Sequence, residues 1–204
     1  MNSHSPFPDS HAQKGFTLIE LAMVLAIFAF VMGVILTIFV SVIRQQRYIL
    51  AEQEMLNQVS YVQEYMSRAI RSSIQDVSGS CLFDGTSFFP GGNYLLTHYN
   101  AELATYEGIM FISKDNVCQE FYFDRNDNRL KEVKDGGTAQ NILSDTYPLK
   151  YALFVINGDR NLYLASVSDL AQPRISFSIN VENTAGGNEK VFQTTVSARN
   201  LNVQ

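Results

Sequence analysis

Lys14-Gly15-Phe16-Thr17-Leu18-Ile19-Glu20 runs without a break into an apolar stretch over residues 21–43. That stretch holds no charged residue and no proline, and its one glycine is Gly33. A bilayer core of about 30 Å is crossed by roughly 20 apolar residues in a helix, so the stretch is long enough to span. Inside lipid every backbone amide must be paired within the segment, which forces a helix. A secretory signal has a shorter apolar region, roughly 7–15 residues, closed by a small-residue cleavage site. No such site closes this one. On hydropathy alone it reads as a signal anchor, an uncleaved membrane helix tethering the domain that follows.

Glu20 alters that reading. An acid at a membrane boundary costs little, but one drawn deeper costs about 2.5–3.5 kcal/mol on insertion scales, so intramembrane acids tend to have a partner. Glu20 either sits among the headgroups or waits for a positive charge. Cleavage after Gly15 would supply one, the new α-amino group of Phe16, about one helical turn before Glu20.

These residues, with Leu21 and the apolar run behind them, resemble the N-terminal signature of type IV prepilins and of the pseudopilins of type II secretion. In that family a membrane aspartyl prepilin peptidase cuts after the glycine and methylates the new N-terminal phenylalanine. The acid pairs with the N-terminal amine of a neighbouring subunit during filament assembly. The resemblance therefore implies cleavage after Gly15, N-methylation of Phe16 and an assembly role for Glu20. It also implies as partners the peptidase-methylase, other pilin or pseudopilin subunits, an inner-membrane assembly platform and, before assembly, membrane lipid.

The chain then divides into a leader (1–15), a membrane or filament-core half of a helix (16–43), an amphipathic half (44–75) and a β-rich globular domain (76–204). The leader is polar and turn-prone, with Pro6, Pro8 and three serines, and is expected to be unstructured. His4 and His11 within it are incidental rather than a metal pair. Charge placement opposes the implied orientation slightly. Lys14 is the leader's one basic residue, whereas Arg44 and Arg47 follow the apolar run, and the positive-inside rule prefers the reverse. The signature outweighs this bias, because the peptidase acts at the cytoplasmic face.

The helix is expected from Phe16 to about Ser73, since no proline interrupts it. Past residue 43 the pattern becomes amphipathic. Tyr48, Ala51, Met55, Val59, Val62, Met66 and Ala69 recur at three- and four-residue spacing and form one face. That face is expected to pack on a sheet. Glu64 and Arg68 stand four apart in the favourable order. The exit is Asp76-Val77-Ser78-Gly79-Ser80.

The net charge of −5 lies wholly beyond residue 73, where 10 basic and 15 acidic side chains occur. That balance gives no general attraction to nucleic acid. Cys81 and Cys118 are the only cysteines. An even number beyond a membrane anchor suits a disulfide in an oxidising compartment, with two free buried thiols as the alternative. No histidine cluster accompanies them, so no metal is expected, and His98 stands alone. From Gly108 the pattern is β. Residues 109–112 are apolar, and 121–123 and 129–133 flank a turn at Asp124-Arg125-Asn126-Asp127-Asn128. Asp124, Asn126 and Asn128 alternate as in a calcium loop, with Asp135 twelfth. The sixth place is Arg129, where such loops need glycine, so a plain hairpin is expected. Residues 151–156 read as a buried strand and Leu162-Tyr163-Leu164 as a resumption. Ile175, Phe177, Ile179 and Val181 alternate on one face, a loop follows over 183–188, and 191–196 returns as their partner.

The expected fold is α+β and pilin-like: a long N-terminal helix packed on an antiparallel sheet, or two. The closing residues 191–200 resemble the last strand of minor pilins and pseudopilins, and the layout is nearest the minor H or J kind. Major pilins place their disulfide near the C-terminus, and the tip-most pseudopilin often lacks the acid that Glu20 provides. The implied function is a structural minor subunit of a type IV pilus or type II secretion pseudopilus. The implied location is the inner membrane, with the globular domain outside the cytoplasm, and then a filament. The alternative is a pilus-associated adhesin or a ligand- or DNA-capturing subunit, its surface lying in residues 81–106. No nucleophile–base set, phosphate loop or metal spacing is present, so an enzyme is not expected, nor any cofactor.

Overall fold

The computed structural model describes residues 15–89, 91–157, 173–183 and 188–197. Leader residues 1–14, the Leu162-Tyr163-Leu164 reading, the centre of the loop over 183–188 and residues 198–200 lie outside them. The chain divides into two units, Met1–Arg47 and Tyr48–Gln204.

Helix α1 covers Leu18–Arg71. Thr17 caps it: its carbonyl accepts the Leu21 N–H (3.2 Å) and its Oγ1 accepts the Glu20 N–H (3.3 Å). The helix therefore starts two residues later than expected, because the cap takes Thr17 out of it and leaves Phe16 ahead of the first turn. Within the first unit, residues 15–42 are exposed throughout. No polar group interrupts their apolar surface between Leu21 and Thr37, and the Thr37 hydroxyl is bonded to the Gly33 carbonyl at 2.9 Å.

In the second unit α1 becomes one-sided. Met55, Val59, Val62 and Met66 are buried and join one hydrophobic cluster with the sheet, as the spacing predicts, and Ile70 joins them with Ala69 packed alongside. Ser67 is buried beside them. Glu64 and Arg68 meet at 2.6 Å on the opposite, exposed face. The helix ends where Ser72 turns back: its N–H bonds the Arg68 carbonyl and its hydroxyl bonds the Ala69 carbonyl.

The strands are β1 (Tyr94–Asn100), β2 (Thr105–Ile112), β3 (Cys118–Asp124), β4 (Arg129–Lys134), β5 (Gln140–Asn141), β6 (Leu149–Asn157), β7 (Arg174–Asn183) and β8 (Asn188–Ser197). They form a single antiparallel eight-stranded sheet, ordered β5-β4-β3-β2-β6-β7-β8, with β1 also paired to β2. Strand β2 is the branch point. Its residues pair with β1 along most of their length, with β3 at 108–112 and with β6 through Tyr106 and Phe154.

The face toward α1 is built by alternation. Ile109 and Phe111, Phe121 and Phe123, and Ile175, Phe177, Ile179 and Val181 are all buried. Burying each such side chain contributes about 1.5–3 kcal/mol, which outweighs the weak local propensity of any one strand. Strand β6 departs from expectation. It is buried on one face rather than two, with Ala152, Phe154 and Ile156 inward and Val155 exposed. No layer covers its other side among the described residues at Val155. Strand β1 falls within residues that sequence pattern left unassigned.

Candidate functional site

The N-terminal stretch comes first. Gly15 and Phe16 lie outside the helix, and Phe16 is 84% exposed. A methyl group added at Gly15 would meet nothing within 4 Å. Among the described residues, then, nothing demands glycine there. Thr17-Leu18-Ile19-Glu20 has the Thr-x-x-Glu pattern of a capping box, with Thr17 at the cap and Glu20 at the third helical position. Sequence reasoning fixed on Glu20 as an acid and missed this local signal. The helix N-terminus carries about half a positive charge, which favours an acid in that first turn. Among the described residues no cation is paired with the Glu20 carboxylate.

Behind this junction, one helix is long and apolar enough to cross a membrane, and none of its most apolar window is buried. Exposed large apolar surface of this extent marks a face that lipid or another chain covers.

Cys81 and Cys118 are joined, with their Cα atoms 5.5 Å apart. The bond ties the segment after α1 to the start of β3. Asp76 fixes the same segment. Its buried carboxylate accepts the N–H groups of Ser80 (3.1 Å), Cys81 (2.9 Å) and Leu82 (2.9 Å) and the Ser78 hydroxyl (3.2 Å). Burial pushes its pKa up, but the Leu82, Cys81 and Ser80 amides and the Ser78 hydroxyl outweigh that and hold it below the ordinary value. Tyr94 anchors β1 to the end of α1: its hydroxyl donates to the Ile70 carbonyl (2.8 Å) and accepts from Ser73 (2.6 Å). Burial raises its pKa to about 12.

The turn considered for calcium is a hairpin between β3 and β4. Lys131 fills the place a cation would take, 2.7 Å from Asp124 and 2.5 Å from Asp127. Its partners raise the lysine's pKa, first through the Asp124 hydrogen bond. No group of three metal-binding side chains occurs among the described residues. His4 and His11 lie outside those residues.

His98 corrects the expectation that it stands alone. Its ring stacks on Tyr122 with centroids 4.4 Å apart, and its Nε2 lies 3.2 Å from a Glu120 oxygen. Its φ is +53°, unusual for a residue inside a strand. Gly108, paired with the neighbouring Thr97, leaves room for this: a methyl there would come within 2.3 Å of Thr97 Oγ1 and 2.8 Å of the His98 ring. No local pattern in the sequence reveals this group, because its members come from three strands.

Residues 10–36 match the family of the prokaryotic N-terminal methylation motif. The chain carries a type IV prepilin signal. With its long apolar N-terminal helix and antiparallel sheet it fits a type IV pilin-like protein. No curated protein and no solved structure matches the chain. The prepilin motif supports a pilin or pseudopilin and points to a structural protein rather than an enzyme. It implies processing by prepilin peptidase and assembly with other pilin subunits, and it fits a membrane-anchored pilin.

Proposed function

We propose that this prepilin-like chain is a minor structural subunit of a type IV pilus or a type II secretion pseudopilus. Its leader (1–15) is removed after Gly15, and the exposed Phe16 amine is methylated. Residues 16–43 first sit in the inner membrane with the sheet domain outside the cytoplasm, then move through the assembly platform into a filament core. The observation that carries this reading is the N-terminal arrangement. An exposed Gly15–Phe16 bond lies ahead of a capped helix, with one acid in the first turn and an uncovered apolar surface behind it.

Glu20 guides docking by pairing with the Phe16 amine of a neighbouring subunit. An ion pair at about 4 Å gains about 1 kcal/mol in water and about 4 kcal/mol at an effective dielectric of about 20. The pair therefore strengthens as water is excluded. The apolar half exchanges lipid for neighbouring helices, a change between two apolar surroundings that costs little in either direction. The position of the Cys81–Cys118 bridge, early in the sheet domain rather than near its end, supports a minor subunit over a major one.

Mass spectrometry of the membrane-extracted protein tests this reading. A mature chain beginning at N-methyl-Phe16 is expected, whereas an intact leader in cells with a competent peptidase would reduce the chain to a signal anchor. Glu20→Ala should be inserted and cleaved normally yet enter filaments at a small fraction of the wild-type level. Wild-type incorporation would remove the pairing role.

A further inference from the structure

Residues 82–89 form a small hairpin of their own. Phe83 bridges Phe88, the Phe89 N–H bonds the Leu82 carbonyl at 2.9 Å, and the Asp84 carboxylate accepts the N–H groups of Thr86 and Ser87 to make the turn. The disulfide and the Asp76 carboxylate hold its base. Between this hairpin and strands β1, β2 and β3 lies a cavity of about 500 Å³, within the usual range for ligand sites of roughly 300–1,000 Å³.

The cavity's chemistry is one-sided. Phe83, Phe89, Tyr99 and Tyr106 give it aromatic walls, and Leu95 and Met110 add apolar ones. Asp84, Glu120, Thr97 and His98 also line it, and among the described residues no Lys, Arg, Asn or Gln does. Only one oxygen of each acid is engaged among the described residues, Asp84 by the turn amides and Glu120 by His98. Thr97 Oγ1, beside Gly108, is buried with no partner among the described residues.

We propose that this cavity receives an arginine side chain of a partner polypeptide. A guanidinium offers five donors and no acceptor, matching the carboxylates of Asp84 and Glu120, with which no Lys or Arg is paired among the described residues. Its flat face stacks on aromatic rings, and its aliphatic stem suits the apolar walls. A sugar would draw on the donors of Thr97, His98, Tyr99 and Tyr106 as well, but it leaves the two carboxylates without a positive partner, which a guanidinium supplies. Two anchors on the hairpin keep the cavity formed before binding, which lowers the cost of ordering it. This inference is independent of the prepilin reading, since it involves neither the leader nor Glu20.

The test uses the full chain in polyoxyethylene detergent and ligand-observed NMR titration with N-acetyl-arginine methylamide. The neutral citrulline analogue and maltotriose serve as comparison ligands. Arginine is expected to bind at least about tenfold more tightly than citrulline, the worth of one charge-assisted hydrogen bond. Glu120→Gln and Asp84→Asn should each weaken arginine binding about three- to tenfold. Asp84→Asn retains a turn-forming oxygen, so it carries the test if Glu120→Gln fails to fold. Asp115→Asn, outside the cavity, should change nothing. Equal binding of citrulline, preference for maltotriose, or no arginine binding by a chain with a normal melting transition would each overturn the proposal.

Discussion

Asp76 is the residue on which the segment after α1 depends. Replacing it by alanine leaves the Ser80, Cys81 and Leu82 amides without their acceptor. The Cys81 and Leu82 amides are buried, and each buried unsatisfied group costs about 1–3 kcal/mol, so a loss of at least about 2 kcal/mol is expected in chemical denaturation. The pH dependence has a definite sign. The folded-state pKa lies below its ordinary 3.8, so the folded state resists protonation more than the unfolded chain does. The contribution is complete above about pH 4 and is lost as pH falls through the depressed value. Asp76→Asn should therefore melt lower than wild type at pH 7, with the gap narrowing below about pH 4. A constant gap across that range would show that the carboxylate charge contributes nothing. The sequence marks Asp76 only as part of a helix exit. Its burial follows from Gly92, whose carbonyl accepts the Asp76 N–H, and from Gly91, which donates to the Asp76 carbonyl.

Among the elements, the second half of α1 and strand β7 were legible because each has a clean period. Ile175, Phe177, Ile179 and Val181 alternate, and Met55, Val59, Val62 and Met66 recur at helical spacing. Strand β1 was not legible. One of its faces meets α1 through Tyr94 and Leu96, and the other lies under the 82–89 hairpin, so its polarity shows no simple alternation. The positive φ of His98 interrupts it further. The hairpin itself is held by the disulfide. For a bridge separated by 37 residues, the loop-entropy account assigns about 4 kcal/mol. Cys81→Ser should lower the melting temperature of the oxidised protein and leave that of the reduced protein nearly unchanged. Equal melting of variant and wild type under oxidising conditions would mean the bridge contributes no stability.

At the scale of the whole molecule, the two ends of the chain's chemistry are separable. In the proposed function the signal and apolar half govern processing and membrane residence, while the sheet unit has its own core. Gly15→Leu should block removal of the leader, visible as a larger band on immunoblot, and leave the melting transition of the sheet unit unchanged, because a Cβ at Gly15 would meet nothing within 4 Å among the described residues. Normal processing of that variant would remove the prepilin reading. A shifted transition would mean that residue 15 is packed after all. By itself the sequence determined the prepilin signal, the uninterrupted helix, its change from apolar all round to one-sided, and a β-rich domain behind it. Each of these is encoded by neighbours along the chain: a helix pairs residues four apart, and a strand alternates every second residue. Only the tertiary structure decided the branched pairing at β2, the anchoring of the 82–89 hairpin by Asp76, and the convergence of Asp84, Thr97, His98 and Glu120 around one cavity. Those residues come from a hairpin and two strands, and no local period records which strands will lie side by side.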